Sequence, residues 1–63
     1  MPILKIFYRG YQLTARDQPG GGYQVEIGPV GSDRTVFTQK FAKLQDALAS
    51  ARHYVDLRNR TLH

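Results

Sequence analysis

From residue 11 onward the chain keeps one hydrophobic period and then exchanges it for another. Tyr11-Gln12-Leu13-Thr14-Ala15-Arg16 alternates apolar and polar positions, and Tyr23-Gln24-Val25-Glu26-Ile27 does so again. A period of two puts Tyr11, Leu13, Ala15, Tyr23, Val25 and Ile27 on the inward face of half-buried strands. Gln12, Thr14, Arg16, Gln24 and Glu26 take the outward face. Upstream, residues 3–8 are strand-like, and Gly10 stands between them and the first alternating run. Gly10 fits either a bulge within one strand or the tip of a tight turn, and one long, bent first strand is the expectation. Residues 34–41 form the third strand, because Thr35, Val36, Phe37 and Thr38 all favour extended backbone. Phe37 and Phe41 are expected on the inward face, with Val36 outward.

The period then lengthens. Leu44, Leu48, Ala51 and Val55 recur at steps of four, three and four, with Ala47 and Tyr54 beside them, which predicts an amphipathic helix of about four turns. Its start is weakly marked. Ala42 and Lys43 stand where a Ser, Thr or Asp cap is expected, and Thr38 offers a cap for an earlier start. Two loops separate the strands, Asp17-Gln18-Pro19-Gly20-Gly21-Gly22 and Gly28-Pro29-Val30-Gly31-Ser32-Asp33. Short connections between alternating strands imply an antiparallel meander. The predicted fold is therefore a single α+β domain over residues 1–63, in βββα order. It has two layers, a three-stranded antiparallel meander with a long bent first strand packed on one C-terminal helix.

Size changes what such a fold needs. Sixty-three residues supply a core worth only about 3–5 kcal/mol, so small domains often add a staple. The chain has no cysteine and only two histidines, His53 and His63, so neither a disulfide nor a zinc cluster is expected. Association with another chain is the staple that remains. No apolar run approaches the roughly 20 residues that span a bilayer, and residues 1–6 lack the cleavage site of a signal peptide. The expected setting is the cytoplasm, with no membrane partner.

Catalytic chemistry finds little to build on. Gly20-Gly21-Gly22 precedes a strand, whereas a phosphate loop requires a helix and a Lys-Ser/Thr pair after its glycines. Ser32 and Ser50 have no histidine in an obvious partner position, and the carboxylates Asp17, Glu26, Asp33, Asp46 and Asp56 are scattered singly. No enzyme, cofactor, metal or small-molecule substrate is expected. The net charge of +4 passes the first filter for a nucleic-acid binder. Arg9, Arg16, Arg34, Lys40 and Lys43 are the residues that would form a basic stripe, while Arg52, Asp56 and Arg60 have the spacing of a helical ion-pair ladder.

Gly22-Tyr23-Gln24-Val25-Glu26-Ile27-Gly28-Pro29, followed by Asp46-Ala47-Leu48-Ala49-Ser50-Ala51, resembles the core of the HicB-like antitoxin fold. Tyr8-Arg9-Gly10-Tyr11 is similar to the opening of short bacterial proteins of the same βββα layout. The resemblance implies fold and element order. It departs from HicB where Gly28-Pro29-Val30-Gly31 replaces an acidic Pro-Asp turn, and the family's DNA-binding extension has no counterpart before His63. The leading expectation is a non-catalytic interaction module, a homodimer or a partner or inhibitor of another protein. It would act through an open sheet face and edge carrying Tyr8, Arg9, Arg16, Gln24, Glu26 and Val36. The alternative is a nucleic-acid-binding domain that uses the basic stripe.

Overall fold

The turn at Arg9-Gly10 sets the phase of everything upstream of it. Both residues have positive φ, 50° and 82°, the signature of the two-residue type I′ hairpin turn. Residues 3–8 and 11–16 are consequently two strands of a hairpin and not one bent strand. In the computed structural model, which describes residues 2–61, the elements run β1 (Pro2–Tyr8), β2 (Tyr11–Asp17), β3 (Tyr23–Pro29), β4 (Val36–Phe37) and α1 (Leu44–Thr61). His63 lies outside the described residues. The sheet is an antiparallel meander in the order β1-β2-β3-β4, three full strands and one short one. With α1 after it, this is the expected α+β architecture of a sheet and a C-terminal helix.

Register follows from the turn. Tyr8 pairs with Tyr11, Ile6 with Leu13 and Leu4 with Ala15, with a bulge between Pro2 and Leu4. On the other side of β2, Leu13 pairs with Ile27 and Ala15 with Val25. These pairs share the face that meets the helix. Leu13, Ala15, Val25, Ala47, Ala51 and Val55 are completely buried there, and Ile27 nearly so. Ala47 and Ala51 lie one turn apart on α1, and their small side chains let the helix approach β2 and β3 closely. Among the described residues, Leu13, Val25 and Val55 are the largest side chains with no exposure, so the core is thin.

The predicted third strand, residues 34–41, is much shorter than expected. Only Val36–Phe37 pairs with β3, and Phe41 returns for a single bridge to Tyr23. Thr38 is the reason. Its backbone amide still donates to the Val25 carbonyl at 2.9 Å, but its hydroxyl takes over from its carbonyl in accepting the Val25 amide at 3.1 Å and donates to the Gln39 carbonyl at 2.9 Å, so the ladder keeps one backbone bond here and loses the other. Thr38 is thus a strand terminator and not a helix cap. The helix begins at Leu44 and runs 18 residues, a turn longer than the apolar stripe predicts. Its last turn carries Arg58 and Arg60, where cations complement the helix dipole.

Gly28 shows why the β3–β4 loop lies where it does. A Cβ there would sit 2.9 Å from Thr35 Cγ2 and 3.4 Å from the Arg34 carbonyl oxygen, so the loop packs directly on a bare backbone. Gly28→Ala is expected to destabilise the protein by about 1–3 kcal/mol through overpacking. Adding Thr35→Ser, which deletes the clashing methyl, restores most of that loss. Urea denaturation of both variants checks the prediction, and a double variant no more stable than Gly28→Ala contradicts it.

Candidate functional site

The face of the sheet away from α1 is built by the other half of each alternation. Register aligns Lys5 with Thr14, Thr14 with Glu26, and Glu26 with Phe37 across all four strands. The next row places Phe7 beside Gln12 and Gln12 beside Gly28. Arg16 and Gln24 form a third row. The centre of this face is not bare, contrary to the expectation of a sheet face left open to solvent. Arg16 Nη2 lies 3.2 Å from Glu26 Oε1. Gln12 Nε2 reaches Thr14 Oγ1 at 3.5 Å, and Thr14 is only 5% exposed. Gln24 donates to the Thr38 carbonyl at 2.9 Å, and the β3–β4 loop covers Gly28. The chain's own polar side chains screen the middle.

The borders are different. Phe7 on β1 is 68% exposed and Phe37 on β4 is 56% exposed. Ile3 and Leu4 add two more exposed apolar side chains along β1. Leu4 faces the helix side yet remains exposed, because α1 packs on β2 and β3 and does not extend over the start of β1. Tyr8 and Tyr11 flank the two-residue turn and so form a hydrogen-bonded pair, which sets the alternation along the strand. Phe7 and Lys5 therefore direct their backbone N–H and C=O groups away from β2. An apolar edge strand with unpaired backbone groups is a template for another strand.

Of the six residues expected to form the contact surface, Arg16, Gln24 and Glu26 share the open face. Tyr8 and Arg9 do not. The Tyr8 hydroxyl donates to the Asp56 carboxylate at 3.0 Å, and Arg9 Nη1 lies 3.5 Å from the same group. The Arg9 guanidinium also stacks 5.8 Å from the Tyr8 ring centroid. These contacts tie the hairpin turn to the helix and replace the expected Arg52-Asp56-Arg60 ladder. Val36 lies across from Ile27, which puts it on the helix side, and Phe37 takes the open face. The phase of Val36 and Phe37 was therefore inverted in the sequence reading, while Phe41 packs against the core as expected. Lys5, Phe7 and Phe37 were missed. The signal that finds Phe7 is the Arg9-Gly10 turn, since pairing Tyr8 with Tyr11 fixes the face of every earlier residue.

The basic residues do not form one stripe. Arg9 is held to the helix by Asp56 and Arg16 to the open face by Glu26. Arg34 lines a groove beside Tyr54. Lys40 is next to Gly22 at the opposite end of β3, and Lys43 immediately precedes α1. Among the described residues no group of His, Cys, Asp or Glu is placed to hold a metal ion, and no helix is long and apolar enough to cross a membrane. No protein family, curated protein or solved structure matches the chain.

The Arg16–Glu26 pair is partly solvated, at 42% and 25% side-chain exposure, so its coupling is expected to be at most about 1 kcal/mol. A double-mutant cycle with Arg16→Gln and Glu26→Gln measures it. The coupling should shrink in about 1 M salt, where the screening length is about 3 Å. A salt-independent coupling above about 2 kcal/mol contradicts a solvent-exposed pair.

Proposed function

We propose that the protein is a non-catalytic interaction module that receives another polypeptide along the outer edge of β1, a second copy of this chain in the first instance. One observation carries the reading. The edge strand exposes Ile3, Leu4 and Phe7 together, and its outward backbone groups have no partner in the sheet.

Two physical arguments support it. Among the described residues the core contains three large fully buried side chains, and the chain has no cysteine, so added burial at an interface contributes stability that the isolated chain lacks. Strand addition at an open edge also needs no prepared pocket, because main-chain hydrogen bonds supply affinity and alternate side chains supply selectivity. A partner of different sequence would use the same edge. The nucleic-acid reading loses its main support with the division of the basic residues, although Phe7, Phe37 and Lys5 give the open face some aromatic and cationic character.

Sedimentation velocity tests the proposal. The mass should rise from monomer toward dimer between about 5 and 500 µM, and the melting temperature should rise with it by mass action. Phe7→Asp should hold the mass at monomer without unfolding the chain, because Phe7 is mostly exposed. A wild-type mass fixed at monomer throughout that range contradicts self-association.

A further inference from the structure

β1 is regular only between two irregularities. A bulge between Pro2 and Leu4 disturbs its pairing at one end, and the Arg9-Gly10 turn closes it at the other. Residues 4–8 lie between them, with Ile6 at the midpoint. Leu4, Ile6 and Tyr8 take the hydrogen-bonded positions opposite Ala15, Leu13 and Tyr11, so Lys5 and Phe7 hold the outward N–H and C=O groups. The Lys5 and Phe7 side chains share the open face and are exposed. Lys5 has no ion-pair partner within the described residues. On the other face, Leu4 is 39% exposed beyond the reach of α1, whereas Tyr8 is held by Asp56.

A second copy can extend this edge antiparallel about a two-fold axis perpendicular to the sheet. The backbone permits that axis at Lys5, at Ile6 or at Phe7. An axis at Lys5 sets Lys5 directly against the partner's Lys5, and like charges in that position destabilise a sheet. It also draws the bulge into the pairing. An axis at Phe7 engages only residues 6–8, because the turn cuts the strand short. An axis at Ile6 uses the whole regular run on both chains. Lys5 then faces the partner's Phe7, joined by a pair of main-chain hydrogen bonds, and the ammonium stem lies along the ring. Leu4 faces the partner's Tyr8, and Ile6 meets the partner's Ile6. Each apolar side chain that α1 leaves uncovered on this stretch gains a neighbour.

We propose that two copies pair β1 antiparallel about an axis at Ile6, which merges two four-stranded sheets into one continuous sheet with both helices on the same face. This rests on the self-association reading and adds the register to it. Each helix lies over β2 and β3, so the two helix axes stand about four strand spacings, about 19 Å, apart. That exceeds the 10–12 Å width of a helix, and the helices do not collide. Phe7→Asp sets a carboxylate against the partner's Lys5 in this register, but a cross-strand ion pair returns less than the lost ring burial, so that variant remains a monomer.

The test uses the wild-type protein. A mixture of ¹³C-labelled and unlabelled chains, at a concentration where sedimentation shows a dimer, is read by isotope-filtered NOE spectroscopy, which reports contacts between chains only. Residues opposed without hydrogen bonds bring their Cα atoms to about 4.5 Å and their Hα protons into contact. The expected signal joins Leu4 Hα to Hα of the partner's Tyr8. Within one chain these two residues are about 13 Å apart along the strand, so the contact has no intramolecular source. A contact from Leu4 to the partner's Ile6 assigns the axis to Lys5, and one from Ile6 to the partner's Tyr8 assigns it to Phe7. Either result overturns the register and leaves self-association through β1 standing. A monomeric mass at every concentration, or a dimer whose contacts between chains lie away from β1, overturns the register and the reading beneath it together.

Discussion

A helix about 10–12 Å across cannot cover four strands whose outer members lie about 14 Å apart. This mismatch of widths governs the molecule. The helix sits over β2 and β3, the strands that contribute Leu13, Ala15, Val25 and Ile27 to the core. The two outer strands receive partial cover at best. β4 escapes the difficulty by being two residues long, with Thr38 closing its end. β1 spans seven residues and is apolar along most of its length, so the uncovered surface is concentrated there. The hydrophobic effect sets the size of the consequence, since each large apolar side chain moved from water to an interface contributes about 1.5–3 kcal/mol when fully buried.

Polar chemistry then decides which parts of the surface remain available. Asp56 gathers Tyr8 and Arg9 and fixes the hairpin turn to the helix, which helps hold Arg9 at a φ of 50°. A non-glycine residue in that region carries a cost of about 1–2 kcal/mol, so the tie and the turn belong together. Glu26 and Arg16, with Gln12 over Thr14, close the middle of the open face.

The architecture was legible in the sequence wherever one face of an element is buried. Residues 11–16, 23–27 and 44–55 announce their faces because every second, or every third and fourth, residue is apolar, and burial of one face leaves that record. The failures fall where burial is two-sided or absent. In residues 3–8 five of six positions are apolar or aromatic, so alternation carries no phase and only the turn geometry at Arg9-Gly10 supplies it. Residues 34–41 have strand-favouring composition but almost no buried face, and the hydroxyl of Thr38 competes with the ladder. The expected contact residues were chosen from these two ambiguous stretches as well as from the clear ones. Arg16, Gln24 and Glu26 were expected on the outward face, where the register puts them, and Tyr8 and Arg9 near the edge, where the end of β1 puts them, whereas Val36 lies on the helix side.

The central claim is that the outer edge of β1 is vacant in one chain and filled by another. Hydrogen exchange at single amides reads this directly, because Phe7 and Lys5 point their N–H groups outward while Ile6 points inward to Leu13. Raising the protein concentration about fifty-fold should slow exchange at Phe7 and Lys5 at least about tenfold and bring them toward the protection of Ile6. Exchange at Phe7 and Lys5 that is fast and independent of concentration would contradict the account.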